Sequence, residues 1–518
     1  MVSPCSTIDK LHEELLLEIF DSYRRVLKYV DSYEISKSRT MSRRHQYESQ
    51  LVPVYERQWN RKHGWFKLAH VCRKWRRIVL ESPARLDLSL VLVEHNPGNV
   101  KTIRRLPYLP IRIDYAHGIP TSNDVSRVVS ALKQCDRVRG MVFKGRDSQL
   151  KKVFGEMNRP FPALERLEIG PLSGVYHLPL VLPPTFLGGS APRLRRLKMS
   201  DVPLKSISQL LSSATALVEL SLEIDTVFGP SPTASLVAYL QSMPCLRWLA
   251  LKLPCAIFHT HIPASPENGG KIVPLSKLTF FHFYGRQVFL DGLVSGLAAP
   301  SLQTFDIDLN EFRDGPLSPI RHISRFLADI NSEYHGFRVI SSGHSSFCLS
   351  LLACSECIDN PDPHFNFNSR RVMQISNALS PRLAIVEELF LISLHNSSPS
   401  ATPWRRFLGL FHDVKVLRLQ HNIMFDIAHS LQQDQGESVP VLPSLEEIEL
   451  RTTSRSSESA VQDERRSAME AFEPFIATLQ QAGRPVKIFW REVQDVTWRF
   501  ESLPRDFSTP TSEWEYTV

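Results

Sequence analysis

Two segments of the sequence contain residue types that carry out catalysis in other proteins, and each lacks a required member. The segment HEE at 12–14 begins like the helix of zinc proteases, in which two imidazoles one turn apart bind the metal. Leu16 stands where the second histidine must be, so this segment cannot form that site. Residues 343–347 (GHSSF) approach the turn that presents a nucleophilic serine in hydrolases, but Phe347 replaces the second glycine.

Metal-binding and nucleotide-binding patterns are also incomplete. His259 and His261 would supply two ligands, but no neighbouring cysteine or carboxylate completes the set. Cys354 and Cys357 form one C-x-x-C pair without the second pair that a zinc site needs. Neither common type of Gly-rich phosphate loop occurs. We therefore predict a protein that is not an enzyme and binds no metal or cofactor; a hydrolase that uses Ser345 is the minor alternative.

The chain of 518 residues has a net charge of +7, which is concentrated at one end. Residues 1–80 contain sixteen Lys and Arg against nine Asp and Glu, whereas residues 81–518 contain forty-five of each sign. The larger part of the chain is thus neutral, which argues against a nucleic-acid partner. The basic end either complements an acidic protein or keeps a polar loop hydrated.

Composition also bounds the compartment. No apolar run approaches the roughly 18 residues of a membrane span, and the first residues lack the basic and apolar start of a signal peptide. The eight cysteines are sparse and mostly far apart, which favours free thiols in a reducing compartment. We therefore expect no membrane association and a location in the cytoplasm or the nucleus.

Two amphipathic helices are predicted at the N-terminal end. In residues 7–20 the apolar side chains recur with helical spacing, with Asp9 as the expected N-cap and His12 at the third helical position. A second helix over 65–80 has one apolar and one basic face, and residues 86–93 alternate like a strand. Because two short helices cannot bury this apolar surface alone, either they pack on the following domain or they dock a partner.

These segments resemble the F-box. The shared residues are Leu11, Glu14, Leu15, Leu16, Ile19 and Phe20, then Val71, Cys72 and Trp75, then Ser82, Pro83 and Leu86. The run from HVCRKW into SPARL is similar to that of fungal F-box proteins, and the resemblance covers about 90 residues. His12 stands at the usual proline, and the polar, basic residues 21–62 form an insertion where the family has a short helical segment.

F-box proteins dock on a Skp-type adaptor, which joins them to a cullin and a RING subunit in a ubiquitin ligase. The resemblance implies that the adaptor-facing surface, or its support, consists of Leu11, Leu15, Ile19, Phe20, Val71, Cys72 and Trp75. The alternative is that Cys72 and Trp75 are only core residues of the module, although one helix stripe can serve both purposes.

After residue 100 the pattern apolar-x-x-apolar-x-apolar occurs ten times. Its first positions are Val138, Leu164, Leu194, Leu217, Leu246, Leu278, Leu302, Val386, Val414 and Leu445. Successive positions are 23 to 32 residues apart, except for one interval of 84. Leucine-rich repeats have periods of roughly 20–29 residues, and this region resembles the irregular repeats that follow many F-boxes. An independent α/β domain with chance repeats is the alternative.

The predicted fold class is α/β. A small helical F-box-like module (1–90, with the insertion at 21–62) precedes an irregular leucine-rich-repeat solenoid (100–500) and a tail (501–518). The rhythm of strand and helix predicts a curved parallel sheet with outer helices. Helices are expected at 204–214, 232–243, 318–333 and 467–483, further strands at 335–341, 346–352 and 486–492, and an exposed loop at 451–467. The last helix, ending at Gly483, and the last strand are expected to cap the array.

Residues that flank the apolar positions of each strand must point away from the core. In the middle strands these include Trp248, Phe280 and Tyr284, and exposed aromatic side chains are typical of interface hot spots. We predict a substrate-binding surface formed by Trp248, Phe280, His282, Tyr284, Asp306 and Asp308. Alternatively, a loop or the C-terminal tail with Trp514 and Tyr516 covers the aromatics. On the other strands the flanking residues are mostly charged, and their sign changes between strands.

Together these features predict a substrate-recognition subunit of an SCF-type cullin-RING ubiquitin ligase. It would dock the adaptor through its N-terminal module and hold a target protein, at high effective concentration, on the repeat surface. The alternative, which His12 and the insertion keep open, is a repeat scaffold that binds partner proteins without engaging a ligase.

Overall fold

A computed structural model describes residues 11–23, 65–83, 85–86, 88–93, 103–115, 120–171, 182–224, 233–253, 272–309, 322–330, 336–341, 347–352, 380, 382–393, 404–420, 423–432, 441–453 and 458–493. Asp9, most of the predicted insertion and the tail lie outside these residues. In the described part of the chain, no helix combines the length and the apolar character needed to cross a bilayer. The chain divides into unit 1 (residues 1–278 and 296–298) and unit 2 (residues 279–295 and 299–518).

The fold is α/β, with parallel β-sheet and intervening helices in each unit. The helices of unit 1 are α1 (13–23), α2 (Trp65–Val71), α3 (Arg73–Glu81), α4 (Ser122–Leu132), α5 (Asp147–Glu156), α6 (Leu204–Ser213) and α7 (Thr233–Leu240). Its sheet has the order β1 (Leu90–Val93), β2 (Ile111–Tyr115), β3 (Val138–Gly145), β4 (Arg166–Pro171), β5 (Arg196–Ser200), β6 (Glu219–Glu223) and β7 (Trp248–Leu253). A separate parallel pair joins β8 (Val273–Pro274) to β10 (Leu297–Ala298).

Unit 2 repeats the same architecture. Its strands are β9 (Phe280–Gly285), β11 (Thr304–Leu309), β12 (Gly336–Ser341), β13 (Phe347–Leu352), β14 (Glu388–Ser393), β15 (Val416–Gln420), β16 (Glu447–Thr453) and β17 (Lys487–Val493). Its helices are α8 (Gln287–Ser295), α9 (Ile323–Ala328), α10 (Trp404–Leu408), α11 (Ile423–Gln432) and α12 (Glu458–Gln481). All ten strands that the repeated apolar pattern predicted are therefore confirmed as strands.

The repeated pattern sets the register of the sheet. On β4 to β7, Leu167, Leu197, Leu220 and Leu249 are successive register partners, and all four are fully buried. The intervening residues of the strands, such as Arg196 and Lys198 on β5, are half-buried on the opposite face. Because side chains alternate along a strand, each strand contributes one apolar row to the core and a second row to the other face, which is polar on β5 and includes apolar residues such as Val142 on β3 and Trp248 on β7.

A tight turn precedes most of these strands. The N–H of Leu164 donates to the carbonyl of Phe161 (3.1 Å), and both side chains are buried. The same bond joins Leu194 to Ala191, Leu217 to Ala214, Leu246 to Met243, Leu278 to Leu275, Leu302 to Ala299, Val386 to Leu383 and Leu445 to Leu442. Proline often occupies the second position, as Pro162 and Pro244 do, because its fixed φ suits that position of a turn.

The long interval of the repeat contains β12 and β13, as predicted, but not as parallel strands. In the sheet β13 lies between β11 and β12 and runs antiparallel to both, so the prediction of a wholly parallel array is wrong here. Only five residues (342–346) separate the two strands. A connection of this length permits an antiparallel hairpin, whereas a parallel pair needs a crossover of a dozen or more residues.

Several predicted boundaries are corrected. The helix expected at 65–80 is divided at Cys72 into α2 and α3, and the helix expected at 318–333 is α9, which ends at Ala328. The strand expected at 86–93 begins only at Leu90, because the amides of Leu86 and Leu88 bond back to the turn that follows α3.

The loop expected at 451–467 is also wrong. Strand β16 continues to Thr453, and α12 begins at Glu458 and contains Pro474. The helix ends as expected at Gly483, whose φ of +75° lets it adopt the left-handed conformation. There the N–H of Arg484 donates to the carbonyl of Leu479 (2.8 Å), which completes a Schellman motif.

Arginines hold successive repeats together. The Arg137 guanidinium donates to the carbonyls of Leu106 (2.7 Å) and Leu109 (2.8 Å) in the preceding segment. In unit 2, Arg325 donates to two carbonyls at the end of α8, and Arg382 donates to carbonyls at the end of α9. Each arginine thus satisfies acceptors that a helix or turn leaves without intrahelical partners.

Candidate functional site

The N-terminal module is a packed helical structure with its own apolar contacts. Phe20 on α1 is fully buried, and its ring centroid lies 4.7 Å from that of Trp75 on α3. The Lys74 ammonium donates to the carbonyl of Leu11 (3.0 Å), and Arg77 pairs with Glu13. These contacts join α1 to α3 although about fifty residues separate them in sequence.

Three large apolar side chains of this module face solvent. Leu15, Ile19 and Val71 are 52%, 47% and 59% exposed. The other residues of the predicted docking set lie deeper: Leu11, Cys72 and Trp75 are half-buried and Phe20 is buried, which gives Phe20 a supporting position. Their role in docking stays a prediction.

Cys72 has a local role that the sequence did not reveal. Its φ of −154° and ψ of 175° are extended, and its Sγ accepts a hydrogen bond from the backbone N–H of Trp75 (3.5 Å). Cys72 is therefore the N-cap of α3, with Trp75 at the third helical position. This explains the C-x-x-W spacing. Apolar periodicity alone predicts one continuous helix through Cys72.

His12 also lies at a helix start, not at the third helical position that was predicted for it. Helix α1 begins at residue 13, and Nδ1 of His12 accepts a hydrogen bond from the N–H of Glu14 at 3.5 Å. The ring therefore occupies the position before the helix, where the F-box pattern has proline, and supplies an acceptor to a free backbone donor.

An open cleft of about 590 Å³ adjoins the module. It is lined by Arg73, Arg76, Arg77, Leu80, Glu81 and Tyr108. Tyr108 is 51% exposed, and the burial of the remaining part of its side chain raises the pKa of its hydroxyl. The cleft combines the basic face of α3 with the side chain of Tyr108 from the segment before β2. The periodicity of the sequence did not predict that these two elements lie side by side.

The polar face of unit 1 (Lys144, Arg166, Glu168, Arg196, Lys198 and Glu219) carries a second cluster. The carboxylate of Glu168 contacts Arg166 (3.2 Å), Lys198 (3.6 Å) and Lys144 (3.9 Å) on three adjacent strands. Burial raises the pKa of Glu168, but the charges of these cations outweigh burial and hold that pKa below its usual range. On the neighbouring pair of strands, Arg196 contacts Glu219 at 3.1 Å.

Unit 2 has a comparable network. Glu449 accepts hydrogen bonds from Arg418 (2.9 Å) and Arg451 (3.0 Å), and Arg418 also pairs with Glu388. The Arg451 guanidinium lies 4.9 Å from the ring centroid of Phe390. Because Arg451 and Phe390 are buried, this network mainly ties β14, β15 and β16 together.

The predicted substrate surface is not a fully exposed row of aromatics. Trp248 lies in unit 1, whereas the other predicted residues lie in unit 2. Five of the six predicted residues are half-buried, namely Trp248, Phe280, His282, Tyr284 and Asp306. The structure does not describe the side chain of the sixth, Asp308. His282 is the register partner of Asp306. Substrate binding at these residues stays a prediction.

Within the described ranges, no group of three or more His, Cys, Asp or Glu side chains is arranged to hold a metal ion. His259, His261, Ser345, Cys354 and Cys357 lie outside those ranges. No protein-family model matches this sequence, and no curated protein is significantly similar to it. The inferences about function therefore depend on the geometry of the chain and on the sequence pattern.

Proposed function

We propose that this protein is the substrate-recognition subunit of an SCF-type ubiquitin ligase. The exposure of three large apolar side chains on one small module, Leu15, Ile19 and Val71, is the observation that carries the proposal. The module packs Leu16, Phe20, Ile78 and Val79 inward and leaves these three large side chains outward. Fully burying an exposed Leu, Ile or Val side chain stabilises a complex by about 1.5–3 kcal/mol, and these side chains, already about half buried, would contribute roughly half of that each, which favours an apolar groove on a partner.

The repeated strands support the second half of the proposal. Regular register between β3 and β7 and between β14 and β17 aligns the residues of the second face in rows across consecutive strands; these rows mix charged residues with apolar ones such as Val142 and Phe390. We place an irregular leucine-rich-repeat solenoid here, with the target protein bound along those rows. The receptor then contributes proximity and no chemistry, in the cytoplasm or the nucleus, and a cullin joins through the adaptor.

Co-expression with a Skp-type adaptor tests this function. The unmodified chain is expected to co-purify with the adaptor, and a Leu15→Asp, Ile19→Asp double variant is expected to lose it. Met469→Asp is the matched control, because Met469 on α12 is also an exposed apolar residue (37%) and the substitution is the same kind of change. If the double variant retains the adaptor as well as the control does, the docking assignment is wrong.

A repeat scaffold that binds partners without a ligase is the second candidate. His12 favours it, because its ring occupies the position of the F-box proline at the start of α1. Failure of the unmodified chain to bind any Skp-type adaptor, with its partner proteins still captured, would support the scaffold. A His12→Pro variant that gains adaptor binding would point to the same conclusion.

A further inference from the structure

We propose that the polar face of unit 1 binds an acidic peptide segment of a partner protein, through Lys144, Arg166, Arg196 and Lys198. The inference rests on the proposed function for the fate of that partner, which would be the ligase target. Binding itself needs neither adaptor nor ligase, so the two proposals can fail separately.

The four cations converge on one part of the face. Lys144, Arg166 and Lys198 all lie within 4 Å of the Glu168 carboxylate, and Arg166 and Arg196 are register partners on β4 and β5. The side chains of the four cations are 30–40% exposed, whereas that of Glu168 is 12% exposed. The carboxylate thus lies beneath cationic groups that remain accessible from solvent.

The charges of this face do not cancel. The polar rows of β2 to β7 contain six cations, namely Arg112, Lys144, Arg166, Arg196, Lys198 and Lys252, against four carboxylates, namely Asp114, Glu168, Glu219 and Glu223. Six minus four leaves two positive charges. Lys144, Arg166 and Lys198 share the carboxylate of Glu168, and Arg196 contacts Glu219, so these four cations face two carboxylates and leave two positive charges in surplus.

Glu168 also prepares the cations for binding. Ordering a free lysine or arginine side chain opposes association through lost rotamer entropy. Here the contacts with Glu168 already restrict Lys144, Arg166 and Lys198 before a ligand arrives. A partner carboxylate therefore meets donors that are partly ordered, and electrostatic complementarity can add both rate and specificity.

The spread of the cations favours an extended peptide over a small anion. The four cations already divide between two carboxylates, since Lys144, Arg166 and Lys198 contact Glu168 whereas Arg196 contacts Glu219, so one small anion cannot take the place of both. Alternate Asp or Glu residues of an extended peptide are spaced about 6.7 Å apart and can reach several of them. Nucleic acid fits less well, because its binding depends on neutralising many phosphates and residues 81–518 have no net charge.

Fluorescence anisotropy with purified full-length protein tests the inference. The probe is a short labelled peptide with Glu at alternate positions, compared with its Gln counterpart and with a single-stranded RNA of similar length. We expect the Glu peptide to bind, the Gln peptide and the RNA to bind at least about tenfold more weakly, and the affinity to fall as salt increases. Equal binding of the Gln peptide, tighter binding of RNA, or no binding of the Glu peptide would overturn the proposal.

Two variants localise the binding. Lys144→Gln with Lys198→Gln keeps the Arg166–Glu168 pair, and Arg196→Gln leaves the Glu168 cluster intact. The double variant is expected to lower the affinity for the Glu peptide about tenfold, and Arg196→Gln is expected to lower it severalfold. The matched control is Lys151→Gln with Lys152→Gln on α5, which removes the same charge from exposed positions. An equal loss in the control would overturn the proposal, since binding would then reflect net charge alone.

Adaptor co-purification of the same variants separates the two proposals. Because these cations lie on β3 to β5, their variants are expected to retain the adaptor, which also shows that the protein is folded. Loss of adaptor binding by Leu15→Asp, Ile19→Asp with peptide binding unchanged is the complementary result. If only the adaptor fails to bind the unmodified chain, the ligase function fails and the peptide site stands.

Discussion

Phe20 and Trp75 place their rings in contact, with centroids 4.7 Å apart and planes inclined by 58°. This contact joins α1 to α3, which are separated by the predicted insertion. Phe20 is buried on one side of α1, while Leu15 and Ile19 on the other side are exposed. The same helix therefore holds the module together and offers an apolar surface to a partner.

We expect Phe20→Ala to destabilise unit 1, whereas Leu15→Ala is expected to have little effect on stability. A fully buried Phe loses about 3–5 kcal/mol on truncation to Ala, because apolar contacts are lost and a cavity remains. Urea unfolding followed by tryptophan fluorescence measures both variants. Equal losses for Phe20→Ala and Leu15→Ala would contradict the assignment of the two faces of α1.

The cap of α3 predicts different effects for two substitutions of Cys72. Cys72→Ser keeps a side-chain acceptor for the N–H of Trp75 and is expected to preserve or raise stability. Cys72→Ala removes that acceptor and is expected to cost about 1 kcal/mol. Thermal unfolding under reducing conditions compares the two, and an Ala variant as stable as the Ser variant would rule out the capping role.

Arg137 is expected to contribute more to the free energy of unfolding than an exposed arginine does. It donates to the carbonyls of Leu106 and Leu109, and burial lowers the pKa of its guanidinium. Arg137→Met leaves these acceptors without the donor, and a hydrogen bond from a charged group contributes about 1.5–3 kcal/mol. The control is Arg193→Met at an exposed position, and both are measured by urea unfolding. Similar stability of the two variants would refute the role of Arg137.

Glu449 is expected to make the free energy of unfolding of unit 2 depend on pH in the acidic range. Burial raises the pKa of its carboxyl, but the hydrogen bonds and charges of Arg451 and Arg418 outweigh burial and lower that pKa. A carboxyl with a lower pKa in the folded state stabilises the fold when ionised, and this contribution is lost as pH falls through the folded-state pKa. The contribution is therefore complete above a pH of about 4.5, the ordinary value for this group.

We expect Glu449→Gln to unfold more easily than the unmodified chain at neutral pH and to depend less steeply on pH below about 4.5. Urea unfolding at a series of pH values gives both slopes. A variant with an unchanged slope would show that Glu449 is not the group responsible.

The strands were predictable from sequence because each buries three apolar residues at fixed spacing, as Leu194, Leu197 and Met199 do. Strand direction was not, because the alternation of side chains is the same in either direction, and β13 follows β12 too closely for a crossover. The first ten residues of α12 escaped prediction for a different reason. They lack an apolar stripe, and only the helix propensity of Glu, Ala, Gln and Arg indicates their structure.

The sites show the same division. Apolar spacing located Leu15 and Ile19, and the structure exposes both. The cap at Cys72 was missed because one extended residue hardly disturbs the periodicity between Leu68 and Trp75. The cluster around Glu168 depends on register between strands, which fixes Arg166 beside Arg196 only once the sheet has formed.

The most direct test of the central claim is a titration of purified Skp-type adaptor into this protein by isothermal calorimetry. We expect the unmodified chain to form a one-to-one complex. Val71→Asp, at the most exposed of the three apolar residues, is expected to weaken the complex at least about tenfold, whereas Met469→Asp is expected to bind normally. No heat of binding with the unmodified chain, or an unchanged affinity for Val71→Asp, would contradict the claim that this module docks a ubiquitin-ligase adaptor.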